Sequence, residues 1–154
     1  MKNNKLSQIS NSKKISDIDL KTLKDVEKKV SWLSAWMIHN ANNIRPSMDG
    51  IKVGGHQASS ASIISIMVAL YFKILNSEDR VAVKPHAAPV FHSIQYLLGN
   101  QTLDKLEKFR AFGGAQSYPS RTKDTDDVDY STGSVGLGGA ITIFGSLIQD
   151  YVAQ

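Results

Sequence analysis

Cysteine is absent from this sequence, and no uninterrupted apolar run reaches the length of a membrane span. The first absence excludes a disulfide framework and any chemistry that needs a thiolate. The second excludes a spanning helix, which needs about 20 mostly apolar residues. Lysines lie near the N-terminus without the apolar stretch that follows them in a secretory signal. The sequence therefore predicts a cytoplasmic protein that does not bind a membrane.

The body of the chain also lacks an excess of charge of either sign. The formal net charge is +4, but residues 1–30 hold eight lysines against four acidic residues, and residues 31–154 hold ten basic and ten acidic ones. Nucleic-acid binders usually carry a basic face on the folded body, so nucleic acid is not an expected partner. We interpret residues 1–16, rich in Lys, Asn and Ser, as a mobile basic tail and residues 17–154 as one domain.

Helical periodicity dominates this domain. Apolar residues from Leu23 to Met37 repeat at alternating spacings of three and four, which predicts a core-facing helix over about 17–43, with a partner-binding stripe as the alternative. Further helices are predicted over 59–75, 88–98, 103–112 and 137–152, and a short strand over 80–84. Helices around one strand indicate part of an α/β layer architecture. The acidic run between 124 and 129 lacks the Gly and Glu of an EF-hand, which predicts a solvated surface loop.

Three short segments contain residues suited to binding or catalysis. The first, Gly54–Ser60, places His56 after two glycines, whose backbone can approach a ligand closely. The second, Lys84–Pro89, places His86 directly after the predicted strand, where ligands of open α/β sheets bind. The third, Thr132–Gly139, is a glycine-rich turn before a helix, and it matches neither the dinucleotide nor the P-loop fingerprint.

Each of these segments also has an alternative interpretation. A histidine such as His56 can exchange a proton near neutral pH, but a lone histidine is more often structural. The glycine turn could serve only close helix packing. His92 lies six residues after His86, which is not the spacing of a helical zinc site, so we interpret it as a packing or surface residue.

In this order and spacing the segments resemble the N-terminal part of transketolase-type thiamine-diphosphate enzymes, most closely the homodimeric pyruvate dehydrogenase E1 branch. Gly54–Ser59 resembles that branch's GGHMAS, Leu106–Arg110 its L-x-x-F-R, Ser117–Pro119 its SYP, and Ser134–Gly138 its SMGLG. The resemblance covers about residues 30–154. It implies a partial thiamine-diphosphate-binding domain over 17–154, of the α/β class, helix-rich with few parallel strands.

The resemblance also implies roles for single residues. His56 is expected to contact the substrate and assist proton transfer, and His86 to lie near the diphosphate or the substrate, so both are candidate catalytic residues. The carbonyl of Gly133 is expected to accept a hydrogen bond from the aminopyrimidine of the cofactor, and Ser134 to contact the cofactor. Val135 is expected to be the apolar wedge that bends it.

Two residues depart from the family pattern, and one motif is missing. Pro85, which has no amide donor, stands where the family usually has Gly. Ser120 stands where the E1 branch usually has His. No Gly-Asp pair occurs, although the family holds magnesium and diphosphate with a later GDG motif. The resemblance therefore implies thiamine diphosphate as cofactor, with Mg²⁺ held by a part of the fold absent from this chain and no metal ligand here.

The function expected from this resemblance is part of an enzyme that cleaves a C–C bond next to a carbonyl, in a 2-oxo acid or a ketose. The chain would then need a partner chain or subunit that carries the rest of the fold, within an oligomer. The alternative is a non-catalytic remnant or interaction module that binds a full-length relative.

Overall fold

The computed structural model of the chain describes residues 17–47, 49–133 and 136–153. Its α-helices are α1 (Asp17–His39), α2 (Gln57–Ala61), α3 (Ile64–Ala69), α4 (Ala88–Leu97), α5 (Leu103–Glu107) and α6 (Leu137–Val152). Single π-helical turns continue α1 (Asn40–Ile44) and α3 (Leu70–Ile74), and a 3-10 turn (Pro85–Ala87) precedes α4. The predicted tail at 1–16 lies outside the described residues. No helix in the described ranges is both long and apolar enough to cross a bilayer.

Helix α1 joins the two hydrophobic clusters found among the described residues. Val30, Leu33 and Met37 of its apolar stripe are buried, which confirms that the stripe faces the core. Val30 packs in a cluster with residues of α3 and α4. Met37 packs in a second cluster with Leu106 and Phe109. The predicted helix over 17–43 is thus found, with its last residues in the π-helical turn.

Helix α4 lies at the centre of the first cluster. Its first eight residues, 88–95, are all buried. Pro89 suits the first turn, where a missing N–H leaves no helical bond unmade. Phe91 and Ile94 are almost fully enclosed, and burial of such side chains stabilises the fold by about 1.5–3 kcal/mol each. The helix predicted over 88–98 is confirmed.

The helix predicted over 59–75 is broken in two. Ile63 has φ −121° and ψ −1°, outside the helical region. The hydroxyl of Ser62 donates to the carbonyl of Ser59 at 2.9 Å, and such local side-chain bonds compete with the helical ladder. The break separates α2, which carries the residues next to His56, from the apolar helix α3.

The strand predicted over 80–84 is not formed, and no described residue belongs to a β-strand. A strand needs a neighbouring strand to complete its backbone hydrogen bonds. Here the N–H of Val81 donates instead to the carboxylate of Asp129 at 2.8 Å, and Val83 packs into the first hydrophobic cluster. The helix-rich part of the predicted α/β fold is therefore found, whereas the parallel strands are not.

The helix predicted over 103–112 ends early, at Glu107. The chain then folds back, because the N–H of Ala115 donates to the carbonyl of Lys105 and the N–H of Arg110 to that of Ala115, both at 3.0 Å. Only glycine fits at position 114, where a Cβ would lie 1.8 Å from the carbonyl oxygen of Lys108. The turn holds Arg110 at φ 62°, the only described non-glycine residue with positive φ.

Helix α6 has the bounds that the sequence predicts and starts at a left-handed glycine, Gly136 with φ 91°. None of its described side chains is buried. Six large apolar residues on it are more than half exposed: Ile143, Phe144, Leu147, Ile148, Tyr151 and Val152. Such a contiguous apolar surface is typical of a site covered by another part of a structure.

Candidate functional site

The structure brings His56 and His86 into contact. Their ring centroids are 4.0 Å apart with the planes tilted by 51°. His56 is exposed and directly precedes α2, whereas His86 is half-buried in the 3-10 turn before α4. The hydroxyl of Ser60 in α2 donates to the main-chain carbonyl of His86 at 3.4 Å. Two residues that lie 30 positions apart in the sequence therefore form one site.

The loop before His56 is held by a side-chain amide on the π-helical turn that follows α1. The amide of Asn42 donates to the carbonyl of Gly54 at 2.8 Å and accepts from its N–H at 2.9 Å. Gly55 has φ 140°, and a Cβ there would lie 2.8 Å from a side-chain carbon of Ile38. Gly55 is therefore needed because the loop lies so close to α1, whereas Gly54 is favoured by its positive φ of 76°.

The surroundings of His86 favour its neutral form by lowering its pKa. Burial is the main cause that lowers the pKa of His86 below its ordinary value of 6.5, and the neighbouring ring of His56 and the positive charges of Arg110 and Lys84 lower it further. The ring is therefore neutral near pH 7 and can accept a proton. Its Nδ1 atom is buried and has no hydrogen-bond partner.

A cleft of about 390 Å³ opens beside His86. One wall is apolar and comes from α3 and the residues that flank it, the second from the segment 81–86, and the third from Thr132, Gly136 and two glycines in the first turn of α6. The hydroxyl oxygen of Thr132 is buried and also lacks a hydrogen-bond partner. Leaving a buried polar group unpaired costs about 1–3 kcal/mol, so the two unpaired atoms are suited to a ligand in this cleft.

The other predicted cofactor contacts are only partly described. Gly133 follows Thr132 and is exposed next to the cleft, with open space around the position of a Cβ. Ser134 and Val135 lie outside the described residues, so the predicted wedge stays a prediction.

A second buried polar group lies around His92. This side chain is fully buried, with Nδ1 at 2.6 Å from a carboxylate oxygen of Asp126 and Nε2 at 2.9 Å from the carbonyl of Gln116. Burial opposes the charged ring, but the hydrogen bond and charge of Asp126 outweigh it and raise the pKa of His92 above its ordinary value. His92 is thus a packing residue, as one of the two predicted alternatives stated.

The acidic run is not the solvated loop that the sequence predicts. Asp126 is buried because it pairs with His92 and accepts from the amide of Gln101 at 3.0 Å. Asp124 is half-buried and accepts from the backbone N–H groups of Gln116 and Ser120 at 3.1 and 2.8 Å. Only Asp127 of the run is exposed. The carboxylates tie the loop to α4 and to its own turns.

His92, Asp124 and Asp126 also come close enough to share a cation, with one ligand atom of each within 4.8 Å of the others. However, both ring nitrogens of His92 face oxygen acceptors, so both carry a proton and neither has a lone pair for a metal; of the carboxylate oxygens, Oδ1 of Asp126 has no hydrogen-bond partner. A metal ligand must present a free lone pair, so this geometry favours an ion pair that stabilises the fold.

Sequence reasoning assigned no role to Arg110, Asn42 or Thr132, although all three lie at the site. Arg110 was visible as the end of the L-x-x-F-R segment, followed by two glycines that signal a turn. Nothing in the sequence indicated that its guanidinium reaches Val53, 57 residues away. The signal for Thr132 was its position at the start of the glycine turn.

Comparison with known proteins agrees with the resemblance. The chain is 32% identical to the pyruvate dehydrogenase E1 component of Mycolicibacterium smegmatis over 143 residues, covering 83% of this chain and 15% of the relative. It is 30% identical to the 1-deoxy-D-xylulose-5-phosphate synthase of Clostridium perfringens over 129 residues, covering 83% of this chain and 18% of the relative. The Escherichia coli pyruvate dehydrogenase E1 component is 28% identical over 118 residues, covering 71% and 13%.

The chain thus spans less than a fifth of the length of these curated relatives. No family model matches it. No solved structure matches it either. The similarity nevertheless covers both histidine segments and most of the described domain. The chain is therefore a partial member of the transketolase-like, thiamine-diphosphate-dependent family that includes pyruvate dehydrogenase E1.

Proposed function

We propose that this chain forms one wall of a thiamine-diphosphate site, in an enzyme that cleaves a C–C bond next to a carbonyl in a 2-oxo acid or a ketose. The observation that carries the proposal is the cleft beside His86. Its walls are largely apolar, and it contains two buried polar atoms without partners, His86 Nδ1 and Thr132 Oγ1. Small-molecule sites are typically apolar clefts of about 300–1,000 Å³ with a few placed polar groups.

The chemical character of the residues that line the cleft suits thiamine diphosphate. Gly136, Gly138 and Gly139 line the cleft without side chains, so a flat aminopyrimidine could approach the backbone there, and the apolar wall from α3 suits an uncharged ring. Thr132 and His86 would supply the polar contacts. When bound, the cofactor supplies the carbon nucleophile and the electron sink, and the protein supplies orientation and electrostatics.

His56 and His86 would carry the proton transfers of the reaction. His86 is neutral near pH 7 because burial and neighbouring positive charge disfavour its protonated form. Its ring touches that of His56, which is exposed and therefore accessible to a substrate. A group that exchanges a proton in the transition state contributes typically about 10²–10⁴-fold to the rate.

We also propose that a chain or subunit carrying the rest of the thiamine-diphosphate fold binds this one and holds the Mg²⁺. The apolar surface of α6, defined by Ile143, Phe144, Leu147, Ile148 and Tyr151, supports this proposal because it is uncovered. The same surface suits the alternative, a non-catalytic module that binds a full-length relative. The two differ at the histidines, which only the enzyme requires.

A chimera tests the catalytic proposal. This chain replaces the aligned segment of the Mycolicibacterium smegmatis E1 component, and pyruvate turnover and cofactor affinity are measured. We expect His56→Ala to lower kcat by about 10²–10⁴-fold with little change in cofactor affinity. The control is His39→Ala, which removes an exposed imidazole bonded only to Asn43 of its own helical turn. A His56→Ala chimera with kcat within about twofold of the parent would contradict the proposal.

A further inference from the structure

The segment that presents His56 is attached at two points, and the second is the side chain of Arg110. Nη1 of Arg110 donates to the carbonyl of Val53 at 2.7 Å. The same nitrogen also lies close to the next residue, because a Cβ on Gly54 would be only 3.2 Å from it. The guanidinium therefore packs directly beneath the backbone that leads into His56.

The backbone of Arg110 is held in an unfavourable conformation. Its φ of 62° is the only positive value among the described non-glycine residues, and such a conformation is uncommon for a residue with a long side chain. Gly113 and Gly114 follow in the same turn, and glycine adopts a positive φ more easily than arginine does. An arginine kept at a position where glycine or asparagine fits better points to a role for the side chain itself.

The guanidinium is also fixed in place. Its central carbon lies 5.4 Å from the ring centroid of Phe109, in a cation–π arrangement. Phe109 is fully buried in the second hydrophobic cluster, so its ring is rigidly held. Arg110 thus connects that cluster to the His56 loop. His86 is attached separately, through the hydroxyl of Ser60.

We propose that Arg110 is a positioning residue, whose guanidinium holds residues 53–55 so that the His56 ring stays in contact with His86. The functional consequence rests on the proposed function, but the positioning itself does not. The positive charge of Arg110 also contributes, after burial and His56, to the lowering of the pKa of His86. Arg110 therefore acts on His56 through the backbone of residues 53–55 and on His86 by charge.

Histidine-selective NMR on the full chain tests this proposal without any cofactor. The chain has four histidines, so their ring signals are few enough to assign by substitution. In the unmodified chain we expect a nuclear Overhauser contact between the rings of His56 and His86. Arg110→Gly suits the left-handed backbone and removes only the side chain, so the fold should be retained while the contact is lost. The pKa of His86 should rise in the same variant.

Two further variants separate positioning from a general structural role. Arg110→Lys keeps the charge and one donor, so it should retain the ring contact and leave the pKa of His86 low. Arg45→Ala is the matched control, because Arg45 also donates through Nη1 to a main-chain carbonyl of this turn, that of Phe109 at 2.9 Å, but makes no bond to residues 53–55. It should lower stability and leave both rings in contact.

The proposal is overturned if the His56–His86 contact and the pKa of His86 are unchanged in Arg110→Gly. It is equally overturned if Arg110→Gly unfolds, since Arg110 would then be a residue on which the fold as a whole depends. In the chimeric enzyme, Arg110→Gly should lower kcat by up to about 10²-fold with KM for the cofactor unchanged. If the ring contact is lost but kcat is unaffected, the proposed function fails while the positioning role stands.

Discussion

Substitution of Thr132 by Val should have opposite effects on the stability of the ligand-free chain and on its binding of a cofactor. The two side chains have nearly the same shape, but valine lacks the hydroxyl whose oxygen is buried without a partner. An unpaired buried polar group costs about 1–3 kcal/mol. The ligand-free chain should therefore gain about 1 kcal/mol or more in free energy of unfolding. For a chain of this size, each kcal/mol raises Tm by about 2–4 °C.

The same substitution should weaken the binding of thiamine diphosphate. If the hydroxyl makes one hydrogen bond to the cofactor, its loss corresponds to about 0.5–1.5 kcal/mol, or about 2- to 12-fold in Kd. Stability is measured by urea denaturation of the chain, and affinity by calorimetry on the chimera.

Thr102→Val is the matched control for the Thr132 experiment. The hydroxyl of Thr102 caps α5 by accepting from the N–H of Lys105 at 3.4 Å. Removing a helix N-cap costs typically about 1 kcal/mol, so this variant should be less stable with unchanged cofactor affinity. A Thr132→Val chain that is destabilised like Thr102→Val would refute the reasoning, because the hydroxyl would then be paired.

Three further predictions concern the buried pair and the apolar surface of α6. Asp126→Ala should destabilise the chain by about 1–3 kcal/mol, because it leaves the buried Nδ1 of His92 and the amide of Gln101 without their shared partner; urea denaturation checks this. Because the pKa of His92 is raised in the folded chain, its protonated ring stabilises the fold fully below the unfolded pKa of 6.5. This stabilisation is lost as the pH rises through the folded pKa. The urea midpoint should therefore fall from pH 6 to pH 8, and less so in His92→Gln. The purified chain should self-associate through α6, and Ile143→Glu with Leu147→Lys should increase the monomer fraction in sedimentation; an unchanged distribution would place the contact elsewhere.

The parts of the fold that the sequence predicted are those determined by local pattern. Helix α1 follows from its spacing of three and four, and helix α6 from an apolar run behind a glycine turn. The failures depend on contacts distant in sequence. The strand at 80–84 requires partner strands, and its N–H group at Val81 bonds to Asp129 instead. Helix α5 ends at Glu107 because the carbonyl of Glu107 is satisfied by Asn40, 67 residues earlier.

The candidate site was predictable to a similar extent. The order of the glycine–histidine motifs indicated His56 and His86, and the structure brings their rings together. Periodicity could not distinguish the buried Asp126 from the exposed Asp127, because the difference depends on where His92 lies. Arg110 was visible as a motif residue, but its contact with the His56 loop depends on a turn closed by Gly114.

We propose above that the cleft beside His86 binds thiamine diphosphate as part of a larger site. Within the described residues, the groups near it that favour an anion are the positive charges of Lys84 and Arg110, the two histidines and the start of α6. An exposed ion pair contributes about 0–1 kcal/mol and a helix N-terminus about 0.3–1 kcal/mol, which together stay below the roughly 8 kcal/mol of micromolar binding. This chain alone should therefore bind the cofactor weakly.

Calorimetric titration of thiamine diphosphate with Mg²⁺ is the most direct test, performed on the chain alone and on the chimera with the Mycolicibacterium smegmatis E1 component. We predict no measurable binding by the isolated chain, and Mg²⁺-dependent binding by the chimera that weakens in His86→Ala. Micromolar binding by the chain alone, or equal affinities of the chimera and its His86→Ala variant, would contradict the account.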